Sequence, residues 1–232
     1  MQPEKIKDIV KENYAKIAKN QGSCCTCSCK KNEQEKIAKM IGYSNEELKT
    51  PGNLGLGCGN PIAISKIKQG DVVLDLGSGA GFDCFLASKR VGETGKVIGV
   101  DMTPEMIEKA RQNAKKYNYN NVEFKLGEIE NLPIQDENID IVISNCVINL
   151  SSDKLKVFKE AYRVLKKNGK MYVSDIVLFG ELTEEQKTSP DLLSGCVAGA
   201  LQKEDYLELI KQAGFKVNII SEDKDISKKQ YH

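Results

Sequence analysis

Histidine is almost missing from this chain: the single one is the last residue, His232. A Cys/His zinc centre and an imidazole general base within the fold are both excluded, so any chemistry has to use thiols, carboxylates or tyrosines. Net charge is missing as well. Lysine and arginine number 34 against 33 aspartates and glutamates, and the lysines are scattered along helical faces, which gives no support to nucleic-acid or membrane-surface binding. No apolar run approaches the length of a bilayer span, and the polar start Met1-Gln-Pro-Glu-Lys5 has no signal-peptide core. The expectation is a soluble, cytoplasmic protein whose 232 residues make one main domain with a small attached region.

What the chain does have is cysteine, eight in all. In a short secreted domain these would form disulfides, but in a long, untargeted chain with α/β patterning reduced thiols are the better reading. Four of them fall in Cys24-Cys-Thr-Cys-Ser-Cys29, where a soft-metal clip and a flexible thiol-bearing loop both fit, because Cys24-x-x-Cys27 lacks a second well-spaced pair. Cys58 stands in Gly52-Asn-Leu-Gly-Leu-Gly-Cys58-Gly-Asn-Pro61, a loop that presents a thiol from backbone. Cys146 follows an apolar run, and Cys196 lies among small residues in Gly195-Cys-Val-Ala-Gly199. Taken alone, Cys146 reads more readily as a small buried apolar residue, and Cys196 equally well as a packed thiol or a ligand.

Asp75-Leu-Gly-Ser-Gly-Ala-Gly81 organises the rest. It follows Val72-Val-Leu74 and opens onto Cys84-Phe-Leu-Ala87, so it reads as strand, tight turn and helix start. Glycines at 77, 79 and 81 permit positive φ and let a ligand approach the backbone, against the unpaired N–H groups of the next helix. Such turns serve dinucleotides, nucleotide phosphates and S-adenosylmethionine alike. Asp75, just before the first glycine, suits the ammonium of a methionine moiety better than a pyrophosphate. Asp101, at the end of Val97-Ile-Gly-Val100, stands where such folds hold a ribose hydroxyl, and the two acids together favour S-adenosylmethionine.

The pattern predicts strands over 72–76, 96–101, 122–127, 139–145, 170–177 and 216–222, with helices over 83–90, 104–117, 153–166 and 203–213. This is α/β: a doubly wound, mostly parallel, Rossmann-like sheet of the class I methyltransferase kind, without a full seventh strand. Core spacing turns Ile107, Ala110, Ala114 and Tyr117 inward on one helix and Leu155, Phe158, Ala161, Tyr162 and Leu165 on another. Ahead of the sheet, an amphipathic helix over 4–19 and a short one over 33–41, with Ile37, Met40 and Ile41 inward, form a small helical, cysteine-bearing region. The expected division is 1–57 as this N-terminal cap and 58–232 as the S-adenosylmethionine-binding domain. Residues 177–202 form an insertion placed to act as a lid. Cys146, at the carboxyl end of the fourth strand, should share a crevice with Asp75 and Asp101.

Four segments resemble those of the arsenite S-adenosylmethionine methyltransferases, in the same order. They are Gly-Leu-Gly-Cys58-Gly-Asn-Pro, Asp75-Leu-Gly-Ser-Gly-Ala-Gly-Phe-Asp-Cys, Ser-Asn-Cys146-Val-Ile-Asn-Leu and Gly-Cys196-Val-Ala-Gly-Ala-Leu. The resemblance implies that Cys58, Cys146 and Cys196 bind As(III) as thiolates and are the catalytic residues. It implies that Asp75, Gly77 and Gly79 hold the methionine end of the cofactor, Asp101 the ribose, and Met102, Glu128 and Ile129 the adenine. It also implies arsenite and methylated trivalent arsenicals as substrates, a thiol reductant of the glutathione or thioredoxin type, and a role in arsenic detoxification. The run at 24–29 has more cysteines than the family's usual N-terminal element, a departure from the pattern. Two other readings compete: a C- or N-methyltransferase of a small metabolite, and a soft-metal-binding or sensing protein on the same scaffold. Three convergent thiols argue against the first and the intact glycine turn with both acids against the second.

Overall fold

The computed structural model describes residues 3–20 and 31–224, so the Cys24–Cys29 run lies outside the described residues. Helices α1 (Pro3–Asn20), α2 (Lys31–Met40) and α3 (Pro61–Ile64) precede the sheet. Then β1 (Val72–Leu76), α4 (Phe82–Val91), β2 (Lys96–Asp101), α5 (Pro104–Lys116), β3 (Val122–Leu126), β4 (Ile139–Asn145), α6 (Lys154–Val164) and β5 (Leu165–Ser174) alternate. Short helices α7 (Glu184–Thr188) and α8 (Pro190–Ser194) and the longer α9 (Lys203–Gln212) follow.

All the pairings between the described strands are parallel and the order is β3-β2-β1-β4-β5. Chain order therefore reverses between β1 and β4, and a crevice opens beyond their carboxyl ends. Parallel strands covered on both faces need apolar residues at every position. Val73 and Leu74 show it: both are fully buried, Val73 in a core with Phe85, Val97, Phe124 and Ile143, Leu74 in the opposite core with Val100, Val142 and Phe158. Helices α4 and α5 cover the first face, α6 and α9 the second.

Helix α1 crosses the crevice instead of joining either layer. Val10 and Ile17 point down from it, Val10 toward Cys146, Leu150 and Cys196, Ile17 toward Leu54, Ala80 and Met106. It packs on α5 and α8, and Tyr14 Oη donates to the Ser194 carbonyl at 3.2 Å.

Residues 216–222 do not form the expected strand. Their apolar alternation finds no ladder partner among the described residues, and Val217, Ile219 and Ile220 stay 37–54% exposed. The described part of the sheet thus has five strands. Tyr117 and Tyr162 are not core residues, being about half exposed. Tyr117 is the residue where α5 ends, and Tyr162, one position off the buried stripe at Ala161, packs edge-on against Phe215 at 5.1 Å. Met40, expected inward, sits in the open last turn of α2. No helix among the described residues is long and apolar enough to cross a membrane.

Candidate functional site

The glycine turn is left-handed at each expected position, with φ of 67°, 50° and 94° at Gly77, Gly79 and Gly81. The first and second of these do different things. A Cβ at Gly77 would lie 2.3 Å from Val147 Cγ2, so the turn closes down on the β4 loop. A Cβ at Gly79 would meet nothing within 4 Å, so this backbone faces open cavity. The Gly77 and Ser78 amides both donate to the Val100 carbonyl, at 2.8 and 3.0 Å. Asp101 completes the link: its carboxylate accepts from the Gly79 amide at 3.0 Å and the Thr103 amide at 2.8 Å. Burial raises the Asp101 pKa despite these amides. Burial also lifts Asp75 well above the carboxylate range, reinforced by the charge of Asp83, and the Cys84 thiol donates to it at 3.2 Å.

Asp75, Gly77, Gly79, Asp101, Met102 and Ile129 line one cavity of about 150 Å³ together with Cys146 and Cys196. Val10 and Tyr14 of α1 form its roof. The Glu128 carboxylate is engaged by Lys7 at 2.6 Å and Lys11 at 3.6 Å, while Glu130, two residues on, joins the lining.

Cys146 and Cys196 share an uncommon backbone. Both have positive φ, 58° and 63°, a conformation that costs a non-glycine residue roughly 1–2 kcal/mol and that collects at functional sites. Cys196 Sγ donates to the Cys146 carbonyl at 2.6 Å, so the strained residues hold each other across fifty positions of sequence. Cys58 comes from the other side, its amide donating to Asn145 Oδ1 at 3.1 Å and its thiol to the Ser174 carbonyl at 3.3 Å. The ligating atoms of Cys58, Cys146 and Asp175 lie within 4.8 Å of one another. A hydrogen bond from Cys146 favours the Cys58 thiolate, but burial and the nearby charge of Asp175 outweigh it and raise this pKa. Cys146 is likewise raised: the Cys196 hydrogen bond lowers it, and the Cys58 hydrogen bond and burial prevail. The hydrogen bond with Cys146 and burial raise Cys196 too, so all three rest as neutral thiols.

Two groups escaped the reading of the sequence. Asn145 Nδ2 lies 2.9 Å from the Gly59 carbonyl, 3.0 Å from Tyr43 Oη and 3.1 Å from Asp83 Oδ2, while Tyr43 donates to Asp83 Oδ1 at 2.6 Å. This network clamps the Cys58 loop to the end of β4, and burial pushes Asp83 up to about 6 although Tyr43 and Asn145 both donate to it. Asp175 follows β5 directly, takes a hydrogen bond from Tyr206 at 2.5 Å, and is pushed by burial up to about 7. The rule that turned attention to Cys146, position at the carboxyl end of a parallel strand, applies equally to Asn145 and Asp175.

Residues 67–214 match the family described as a methyltransferase domain. An arsenic(III) S-adenosylmethionine methyltransferase from Chlamydomonas reinhardtii superposes with a TM-score of 0.64 at 38% identity, over 83% of this chain and 68% of that one. The chain belongs to the arsenite methyltransferase family. It is 45% identical to the arsenite methyltransferase of Halobacterium salinarum, over 92% of its own length and 58% of the relative's. To that of Aquipseudomonas alcaligenes it is 34% identical over 95% and 65%. The chain thus spans less than two thirds of these curated relatives. A S-adenosylmethionine-dependent methyltransferase from Aquifex aeolicus, 28% identical with a TM-score of 0.58, shares the fold over 80% of this chain.

Proposed function

We propose that this chain methylates trivalent arsenic held by Cys58, Cys146 and Cys196, using S-adenosylmethionine. The observation that carries the reading is the packing together of three thiols from distant segments, two of them on strained backbone, of which Cys146 and Cys196 line the cavity built on the glycine turn and Cys58 approaches from the far side. The residues present fit the cofactor, because the open backbone at Gly79 and the acids Asp75 and Asp101 face one cavity. When bound there, S-adenosylmethionine supplies an electrophilic methyl group on a sulfonium. Asp75, Gly77 and Gly79 would hold its methionine end, Asp101 its ribose, and Met102, Glu128 and Ile129 its adenine.

Neutral thiols are the fitting resting state. Arsenous acid exchanges three hydroxyls for three thiols, each thiol proton leaving with a hydroxyl as water, so no net charge enters the buried site. Trivalent arsenic is soft, prefers sulfur, and keeps a lone pair that is itself the nucleophile. No base is needed, in keeping with the absence of histidine among the described residues. The contribution of the cysteines is to fix arsenic and aim that lone pair into the cavity. Residues 177–202, which bring Cys196, act as the lid, and residues 1–57 as the cap. A thiol reductant of the glutathione or thioredoxin type regenerates trivalent product, and the reaction belongs to cytoplasmic detoxification without nucleic-acid or membrane partners. A metabolite C- or N-methyltransferase would leave the thiol meeting without purpose, and a metal sensor would leave the cofactor cavity without one.

The test assays Cys58→Ser, Cys146→Ser and Cys196→Ser with arsenite and with monomethylarsonous acid, after calorimetry confirms that each still binds S-adenosylmethionine. Cys146→Ser and Cys196→Ser should lose both methylations, since a hydroxyl is a poor ligand for a soft centre. Cys58→Ser should lose the first and keep part of the second, because monomethylarsonous acid needs only two sulfurs. Full activity of Cys146→Ser or Cys196→Ser on arsenite would sink the thiolate mechanism.

A further inference from the structure

Asp175 has no task in the reaction just described, yet it is built into the thiol site. Its Oδ1 is sealed from solvent and has no hydrogen-bond partner among the described residues, while Tyr206 holds Oδ2. That carboxylate, with the Cys58 and Cys146 thiols, makes a three-atom set within 4.8 Å. Tetrahedral zinc, bound at about 2.3 Å by sulfur and about 2.0–2.2 Å by oxygen, needs ligand atoms roughly 3.5–3.8 Å apart. A closure of at most about an ångström converts one arrangement into the other.

We infer that Cys58, Cys146 and Asp175 form a binding site for a thiophilic divalent cation of the zinc and cadmium type, and that this cation excludes arsenite. Two sulfurs and one carboxylate oxygen suit a borderline-soft d¹⁰ ion, whereas magnesium and calcium demand oxygen alone. On binding, the two thiol protons pass to solvent and the dication replaces them. The buried Lys154, whose charge reaches Asp175 and Cys196, balances the remaining negative charge. Arsenic, which prefers sulfur to oxygen, turns to Cys196 for its third ligand, and the cation turns to Asp175. Cys58 and Cys146 are common to both, so occupation is exclusive and zinc inhibits competitively with arsenite. The cation site shares these thiols with the proposed arsenic site but does not require that reading.

The experiment uses the full chain with Cys24, Cys25, Cys27 and Cys29 all changed to serine, so that the other thiols cannot contribute. Cobalt(II) alone is titrated and read by thiolate-to-cobalt charge transfer, then displaced with zinc. Asp175→Asn should weaken cobalt by at least the about 10–100-fold that even outer-shell partners contribute, and Cys196→Ser should leave it within about twofold. X-ray absorption of the zinc-loaded protein, which depends on no further variant, should count two sulfurs. Three sulfurs, or loss of cobalt in Cys196→Ser with retention in Asp175→Asn, would overturn the proposal. So would absence of any cobalt signal at micromolar metal. Arsenite should displace cobalt from the parent; cobalt binding without such displacement refutes the exclusion, and cobalt binding together with failure of the unsubstituted chain to methylate arsenite refutes the arsenic reading alone.

Discussion

Asn145→Ala tests whether the network behind the thiols holds Cys58 in place. The side chain contacts four partners: the Cys58 amide at Oδ1, and Gly59, Tyr43 and Asp83 at Nδ2. Nδ2 has only two hydrogens, so one of its three contacts is shared, and the loss amounts to about three full hydrogen bonds. A bond to a carboxylate contributes about 1.5–3 kcal/mol and a neutral one about 0.5–1.5. Because the residue is only half-buried, water recovers part of the sum, which leaves about 2–4 kcal/mol. Urea unfolding with an unchanged slope measures it. The same variant should lose methylation of arsenite more than that of monomethylarsonous acid, with S-adenosylmethionine affinity unchanged, since only the Cys58 loop is released. Asn145→Asp refines the test: it keeps the acceptor for Cys58 but faces Asp83, titrating at about 6, with a second carboxylate. The two share a proton at low pH and repel at high pH, so its penalty should grow between about pH 5 and pH 8. A cost under about 0.5 kcal/mol for Asn145→Ala, or a pH-independent penalty for Asn145→Asp, would refute the reasoning.

Three further outcomes are expected. Asp101→Ala should weaken S-adenosylmethionine by about 1–3 kcal/mol in calorimetry, and unchanged affinity would remove this acid from the ribose site. Hydrogen exchange over residues 183–201 should slow on saturation with arsenite if this segment closes over the crevice, and unchanged protection would count against a lid. Asp175, raised by burial to about 7 against about 3.9 unfolded, binds its proton more tightly when folded. Wild-type stability should therefore fall as pH rises from about 4 to about 7, and Asp175→Asn should remove that part of the slope, gaining on wild type toward pH 8; parallel profiles would contradict it.

The sheet was legible in the sequence because its parallel strands are buried on both faces, so Val72–Leu76 and Ile139–Asn145 read as short apolar runs bounded by turn signals. Asp75 and Asp101 were legible because position along a βα unit fixes direction: a residue at a strand's carboxyl end faces the crevice. Pattern alone predicts too much at 216–222, where apolar residues alternate but no strand forms. Alternation shows which side chains point together, but a strand also needs a neighbour with free backbone groups, and nothing local encodes one. Tyr117 and Tyr162 failed for a related reason, since helical spacing places a residue to within about a third of a turn while burial is decided by what lies opposite.

Helix α1 marks the limit most clearly. Its apolar stripe of Ile6, Ile9, Val10 and Ile17 was plain, but a stripe says only that some surface is covered. The surface turned out to be the crevice itself, with Lys7 held by Glu128 at 2.6 Å and Glu130 at 3.2 Å. The ion pairs are partly exposed, so each contributes at most about 1 kcal/mol, and the larger share of the helix's hold comes from Val10 and Ile17, both buried. Val10 packs on Cys146 and Cys196 themselves. Under the proposed function, a helix that rests on the two strained thiols shifts by at least a side chain to admit arsenic, and this opening of α1 would join the proposed movement of 177–202 as a step on the path to the site.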